Sequence, residues 1–455
     1  MATHPALDRS QPPSPEAARS FSFPRFESHR IEPGLRVLLA PIHRTPLVDI
    51  RLLTQAGAQF DSAPNAGLAH LVSAVQDEGT QSRTADQIAR AIEQLGGYLS
   101  TGVNWETAAV SCGVLAEHLD TALDLVNDVA AQASFPEAEV DRLESQIVAE
   151  IERRRTQPSA LANLHFARAV FGDGVYGRRI IGSAETVMRF ERQHLAEFHK
   201  NHFSARGATL IICGDIDPDI LLPRLEHLCA AWPVLEPPAL PSFHHRELEG
   251  IEITIVDRPD APQTELRLGH VGLSRHHPDY IPAAVMNCLL GGRFMSRINI
   301  NLREKHGYTY GAGSSFAKRS GAGPFVVSTA VGTEHTAAAA TEILREIERL
   351  QREAVEEVEL AETKSYLLGT FPYSTQTLEG VTARLYDLAV FELPDDYYST
   401  YEDSIRSVDM ADVQRCAQTH LSTDRIAIVA VGPVTELGPA LERLGPVRSV
   451  PATSS

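Results

Sequence analysis

Three things are scarce in this sequence, and each excludes a class of function. No apolar run reaches the roughly 20 residues that a membrane-spanning helix requires, so no span is expected. No C-x-x-C pair occurs. The five cysteines, at positions 112, 213, 229, 288 and 416, are scattered and odd in number. They read as reduced, mostly buried thiols rather than a disulfide framework or a thiolate metal site. Positive charge is also short: 41 Lys and Arg stand against 59 Asp and Glu, a formal net charge of -18. That balance argues against nonspecific binding to nucleic acid or to an anionic membrane, though it leaves room for a locally basic groove. The N-terminus, MATHPALDRSQPPSPEAARS, lacks the apolar core of a signal peptide. Its Pro, Ser and Ala predict a disordered tail over residues 1–25. A cytoplasmic location is the default expectation.

What is present suits a globular protein of several domains. The chain has 455 residues, 43% of them hydrophobic and 22% charged. That length exceeds what one compact core usually organises. A repeat then divides it. FHKNHFSARGATLIICG (Phe198 to Gly214) and CAQTHLSTDRIAIVAVG (Cys416 to Gly432) share spacing, matching His202 with His420, Ser204 with Ser422 and Gly214 with Gly432. Each predicts a helix end, a polar turn and an apolar strand closed by Gly. Each is followed by a helical stretch, Ile220 to Leu228 and Leu437 to Leu444. VDIRLL (Val48 to Leu53) and TELRLG (Thr264 to Gly269) repeat at nearly the same offset. Between the halves, EPPALPSFHHRELEG reads as an extended linker over residues 236–250. Two similar domains follow, residues 26–235 and 251–448. Both mix alternating strands with long amphipathic helices such as Pro136 to Arg155 and Thr336 to Ala354. The expected fold class is α+β, with helices on a largely antiparallel sheet in each domain.

The segment GLAHLVSAVQDEGT (Gly67 to Thr80) carries the most chemistry-bearing pattern. Leu68, Leu71, Val72 and Val75 make one apolar stripe at helical spacing, with His70, Ser73, Ala74 and Asp77 on the opposite face. Zinc peptidases of the inverted type place H-x-x-E-H on such a face, two imidazoles for the metal and the Glu as general base. Here the base position is Ser73 and the second ligand position is Ala74. A catalytic zinc ordinarily takes three protein ligands and keeps one position open. Ala74 has no donor atom, and Ser73 cannot serve as a carboxylate base. Ser73 also lacks the surroundings of a nucleophile elbow.

Three segments together resemble the M16 peptidases, the pitrilysin or mitochondrial-processing-peptidase family. AGAQFDSAPNAGLAHLVSAVQDEGT is similar to the family's zinc-motif segment. FPEAEVDRLESQIVAEIERRR is similar to the segment supplying the third ligand, and LLGGRFMSRININLREKHGYTYGAGSSF to the second-domain signature. The resemblance covers nearly all of the chain after the tail. It implies two homologous domains and a zinc site that would fall on His70, Ala74 and Glu150, with Ser73 at the base position. That site is degenerate, and no metal is expected in this chain. Asp77 or Glu78 as a substitute ligand is a weaker reading than a solvated helix end before Gly79. The resemblance further implies that Arg303 and Tyr310 belong to the active-site machinery.

Local pattern agrees with that last assignment. Phe294 to Lys305 predicts a helix stopped by Gly307. Tyr308 to Phe316 predicts a strand with Tyr308, Tyr310, Ala312, Ser314 and Phe316 on one face. An Arg at a helix end and a Tyr on the next strand can converge on one peptide, through guanidinium contacts to carbonyls or a carboxylate and a phenol hydrogen bond to an oxyanion. Gly291 and Gly292, before Arg293, resemble the family's glycine-rich loop; their spacing fits no nucleotide motif. Some peptidases of this family pair a subunit holding the full zinc motif with one that keeps only the Arg and Tyr. The resemblance therefore implies a non-catalytic, substrate-binding subunit. Its partner would be an M16 homologue with intact H-x-x-E-H and zinc, and its substrates extended peptides, with no role for nucleic acid or membrane. The alternatives are a zinc-free structural or assembly protein of the same fold and a metallopeptidase with a rearranged site.

Overall fold

The protein is described by a computed structural model covering residue 10, residues 21–230 and residues 232–452. Its twelve strands form two six-stranded sheets. The first contains β1 (Glu27–Ile31), β2 (Leu35–Pro41), β3 (Leu47–Thr54), β4 (Tyr98–Val103), β5 (Ala108–Leu115) and β6 (Thr209–Gly214). The second contains β7 (Glu252–Asp257), β8 (Gln263–Val271), β9 (Ala312–Phe316), β10 (Pro324–Gly332), β11 (Ala427–Gly432) and β12 (Val447–Pro451). The spatial orders are β1-β2-β6-β3-β5-β4 and β12-β7-β11-β8-β10-β9. Five consecutive positions of the two orders correspond, and the paired directions match: β2 with β6 and β7 with β11 run parallel, while the next three pairs run antiparallel. The repeat read from the sequence is therefore a repeat of topology. VDIRLL lies in β3 and TELRLG in β8, and each sheet is mixed.

The two halves differ at the sheet edge beside β2 and β7. There the first sheet adds β1, antiparallel to β2, from the chain ahead of it. The second adds β12, parallel to β7, from the chain's far end, so this domain extends past residue 448. Central strands β6 and β11 are buried at every position, which explains their continuous apolar sequences. Strands β5 and β10 instead alternate buried and half-buried residues, the pattern of a sheet with one face packed.

Both faces of each central region are covered because the halves exchange helices. The Pro158–Phe171 helix of the first half lies across β8 and β11 of the second sheet. Its Leu161, Phe166 and Val170 share a core with Val256, Val429 and Val431. The Leu378–Val390 helix of the second half lies reciprocally on β3 and β6. There Val381, Leu385 and Leu388 pack on Leu38, Leu53 and Ile211. Polar contacts fix the same exchange: Arg267 Nε donates to Asn163 Oδ1 at 2.8 Å. Glu106 Oε1 accepts from Ser320 N at 3.1 Å, and Tyr176 Oη accepts from Gly321 N at 3.1 Å.

Several sequence expectations need adjustment. The tail expected to be disordered through residue 25 is placed from Phe21 onward, where Phe21 stacks edge-on against Phe371 and Phe23 stacks on Tyr398. Apart from Ser10, the rest of that tail lies outside the described residues. Residues 236–250 are extended, as the prolines require, but they are docked: Phe243 stacks on Tyr176, and Arg246 N donates to Val170 O. The helix expected from Phe294 begins only at Arg297 and widens into a π-helical turn over Ile300–Lys305. Gly307 stops it at φ +67°, with Tyr308 N closing onto Leu302 O. The strand expected from Tyr308 begins at Ala312. No helix among the described residues is long and apolar enough to cross a membrane.

Candidate functional site

Helix Leu68–Val75 begins at Gly67, whose φ of +102° is a left-handed conformation that glycine adopts without strain. Asp61 caps it: Gly67 N donates to Oδ2 at 2.9 Å and Ala69 N to Oδ1 at 3.0 Å. These bonds satisfy amide groups that the helix itself leaves unpaired. Burial pushes the Asp61 carboxyl up to about 7, against the pull of those amides and of Arg178. The helix packs against β4 and against helices Glu137–Arg155 and Arg192–His202. It is therefore covered on more than the stripe of Leu68, Leu71, Val72 and Val75. Ser73 was expected opposite that stripe, yet it is 2% exposed, and its Oγ has no hydrogen-bond partner. Neighbouring elements close over the face where a base would have to stand.

His70 and Ala74 are half-buried. Burial, and then the positive charge of Arg154, lowers the His70 pKa and favours neutral imidazole. Glu150 does not turn toward His70 as a free ligand. Arg153 grips it with two hydrogen bonds of 2.7 Å, and Arg154 Nε adds a third at 2.7 Å. These hydrogen bonds hold its carboxyl down at about 2. Asp77 accepts from Thr101 Oγ1 at 3.4 Å, and Glu78 pairs with Arg142 at 2.7 Å. So His70 offers a nitrogen, Ala74 offers nothing, and Glu150 is committed to two arginines. This donor set does not fit a catalytic zinc.

Among the described residues, one cluster of three His, Cys, Asp or Glu side chains has ligand-type atoms within 4.8 Å of one another, namely His277, Asp279 and His420. It lies in the second half, away from the motif helix. Arg415 and His420 already hold the Asp279 carboxyl down at about 2, with bonds of 2.9 and 2.7 Å to Oδ2. His277 Nδ1 accepts from Asp279 N at 3.0 Å. The charge of Asp279 is neutralised by Arg415, which opposes a cation there.

Arg303 and Tyr310 sit on the second-half segment. Arg303 places its guanidinium 4.5 Å from the ring centre of Phe294 and contacts Glu304 at 3.2 Å. Tyr310 is 92% exposed on the turn ahead of β9. Tyr308, expected on the same face, is instead half-buried between the rings of His306 and His335. The reason is the late start of β9: residues 308–311 do not alternate as a strand. Thr329 Oγ1 donates to Gly311 O at 3.1 Å, and Asn299 Oδ1 accepts from Ala312 N at 2.9 Å, which fixes the turn. Among the described residues, no hydrogen bond, ion pair or ring contact joins Arg303 or Tyr310 to His70 or Glu150. Phe294 and Met295 are also exposed beside Arg303, at 62% and 58%.

Arg178 escaped the sequence reading. It donates from Nη1 to Asp61 O at 2.5 Å and so ties the cap of the motif helix to the Val175–Ile181 loop. The only signal for it was a pair of arginines, Arg178 and Arg179, in an acidic chain.

The duplicated sheets, the exchanged helices and a motif helix capped beside a glutamate-bearing helix define a two-domain α+β protein of metallopeptidase architecture. The chain belongs to peptidase family M16: residues 36–184 match the family model described as insulinase (peptidase family M16), and residues 189–367 match the peptidase M16 inactive domain. Proteins described as uncharacterized zinc proteases are similar to it. One from Rickettsia bellii is 27% identical over 74% of this chain and 82% of its own length. One from Mycobacterium tuberculosis is 27% identical over 94% and 96%. A solved structure described as a peptidase M16 inactive domain from Pseudomonas fluorescens superposes with a TM-score of 0.84 at 25% identity, covering 90% of this chain and 98% of that one. A Helicobacter pylori protease shares the fold, with a TM-score of 0.82 at 17% identity over 90% of this chain.

Proposed function

We propose that this chain is the non-catalytic, substrate-binding subunit of a two-subunit M16 zinc endopeptidase. The observation that carries the reading is a mismatch between the two sites. The motif helix has Ser73 turned into the core and Ala74 without a donor, while Tyr310 stands 92% exposed with the half-exposed Arg303 on the same segment. A phenol projecting this far into solvent is suited to a surface that another molecule covers. The zinc and the intact H-x-x-E-H belong to the partner, an M16 homologue. Arg303 and Tyr310 serve that partner's site by binding and orienting the peptide. Phe294 and Met295 supply apolar area for docking beside them.

The substrates are extended peptides. Strand β4 is the outer strand of the first sheet, and among the described residues no strand pairs with its outward edge. Addition of a peptide strand there would select extended conformation more than sequence.

The test is to purify the chain alone and with an M16 homologue from the same genome that carries the complete motif, then to measure bound zinc and peptide cleavage. No cleavage by the chain alone and cleavage by the mixture are expected. Stoichiometric zinc with cleavage in the isolated chain would overturn the proposal. Stable pairing with turnover indifferent to Arg303 and Tyr310 would favour a structural subunit.

A further inference from the structure

A cavity of about 310 Å³ opens beside the motif helix, between helices Glu137–Arg155 and Pro158–Phe171 and the loop through residue 181. Four arginines line it: Arg154, Arg155, Arg178 and Arg179. Such a concentration is unexpected in a chain of net charge -18. The remaining wall is mostly aliphatic, with Ile151, Leu161, Leu164, Ile180 and Ile181, and carries one polar side chain, Asn163.

The carboxylates nearby do not use up the donors. Glu150 is spent on Arg153 and Arg154. Glu152 takes one bond from Arg155 Nη1 at 2.9 Å, and Asp61 accepts Arg178 through its backbone carbonyl. Arg155 Nε and Arg178 Nε are buried without a hydrogen-bond partner. Among the described residues the Arg179 guanidinium has no ion-pair or hydrogen-bond partner; it is partly desolvated and sits in the field of Arg168, Arg155 and Arg154, with Glu152 the one opposing charge acting on it. The two Nε atoms are closed to solvent, but the guanidinium ends that line the cavity are not, and an anion placed among them would gain charge-assisted hydrogen bonds.

We infer that this cavity is a subsite for a carboxylate of a bound peptide, held by Arg155, Arg178 and Arg179. The inference rests on the reading that the chain binds peptides. The aliphatic wall fits the stem of an acidic side chain or of a C-terminal residue. The volume is at the small end of ligand sites, which run from roughly 300 to 1,000 Å³, and it suits one residue rather than a nucleotide. Arg154 on the cavity wall also binds Glu150 and acts on His70, which sets the cavity next to the motif helix.

Arg179 is the residue to change, since its guanidinium makes no hydrogen bond or ion pair among the described residues that the change would break. The experiment measures binding of fluorescent peptides to the full chain by anisotropy, together with thermal unfolding in N-acetylglutamate and in inorganic phosphate. One peptide carries a single internal Glu, a second has Gln there with an amidated C-terminus, and a third has Gln with a free C-terminus. Binding about tenfold tighter for the Glu peptide or the free-acid peptide is expected, as a charge-assisted bidentate contact would give. Whichever of the two binds tighter identifies the source of the carboxylate. Arg179→Gln should abolish the preference and Arg179→Lys should restore part of it, with unchanged thermal unfolding in buffer. Equal binding of all three peptides, or a preference that survives Arg179→Gln, would overturn the subsite while leaving peptide binding intact. Stabilisation by N-acetylglutamate through Arg179 without binding of any peptide would keep the subsite and sink the peptide reading. If phosphate stabilises through Arg179 and N-acetylglutamate does not, the carboxylate assignment is wrong. No response to any probe would overturn both.

Discussion

The two halves of this protein use one topology and treat their chemistry-bearing segments in opposite ways. In the first half the motif helix is capped by Asp61, closed over by two helices, and flanked by a Glu150 that two arginines hold. In the second half the corresponding surface is open: Tyr310 projects, Arg303 is half-exposed, and Phe294 and Met295 face solvent. The lesson is that the duplicated strands constrain the core and leave the segments between them free. The segment of one half is packed against its neighbours while the matching segment of the other stays exposed.

The exchange of helices is where the halves are most alike, and it offers the largest expected effect. Leu161→Ala and Leu385→Ala each remove a side chain that is 2% or less exposed from a helix lying on the other half's sheet. Each should cost roughly 2–5 kcal/mol, the range for large-to-small changes in a packed core. Chemical denaturation of the two variants would check this. If one cost several times the other, the reciprocity would be topological only, without energetic symmetry.

The next prediction separates the halves by pH. His165, in the first half's exchanged helix, is 6% exposed, and its Nε2 has no partner. Burial, then the charges of Arg168, Arg179 and Arg448, push its pKa down to about 4 from an ordinary 6.5. A histidine depressed in the folded state favours folding above pH 6.5, and that advantage is lost as pH falls from 6.5 to 4. By linkage the loss amounts to about 3 kcal/mol. Asp61, whose carboxyl is raised to about 7 by burial, titrates in the opposite sense over this range, so the test compares variants: the stability of His165→Leu relative to the parent chain should rise as pH falls through that window. An unaltered pH profile in the variant would remove His165 from the account.

The exposed pair of the second half is tested by activity rather than stability. Tyr310→Phe removes one hydroxyl from a side chain with no packing role, so the melting temperature should not move. In the presence of an active partner subunit, turnover should fall by roughly 10²-fold, the loss typical of one donor to a developing oxyanion. Arg303→Ala should act similarly and raise KM as well, since on the proposed function this guanidinium also holds the peptide. Steady-state kinetics of the mixture distinguishes these outcomes from an unaffected rate.

Legibility followed the physics of each feature. The halves were readable because β6 and β11 are buried at every position, which restricts them to apolar runs, and because VDIRLL in β3 and TELRLG in β8 repeat an acid, an aliphatic, an Arg and a Leu in the same order. The helix stop at Gly307 was readable because a left-handed residue favours glycine. The depth of Ser73 was not, because the stripe of Leu68, Leu71, Val72 and Val75 marks one buried face and cannot show that other helices cover the next. The π-helical turn at Ile300–Lys305 and the late start of β9 were hidden for a related reason: alternation at Tyr308 and Tyr310 looks the same whether or not a neighbouring strand pairs with it. The grouping of Arg154 and Arg155 with Arg178 and Arg179 required the fold, since a loop brings back residues more than twenty positions apart.

The smallest expected effect bears most directly on the contrast between halves. Ser73 buries a hydroxyl that finds no partner, so its desolvation is uncompensated. Ser73→Ala should therefore be neutral or stabilising, by up to about 1 kcal/mol in urea denaturation. Ser73→Glu, which returns the residue type of the intact motif, should be destabilising, because it places a carboxylate where the neighbouring helices leave no solvent and no partner. That pair of signs would mean the first half has been rebuilt around the loss of the base. The opposite pair, with Glu tolerated and Ala costly, would mean the position is still shaped for an acid, and that only Ala74 separates this helix from the full motif.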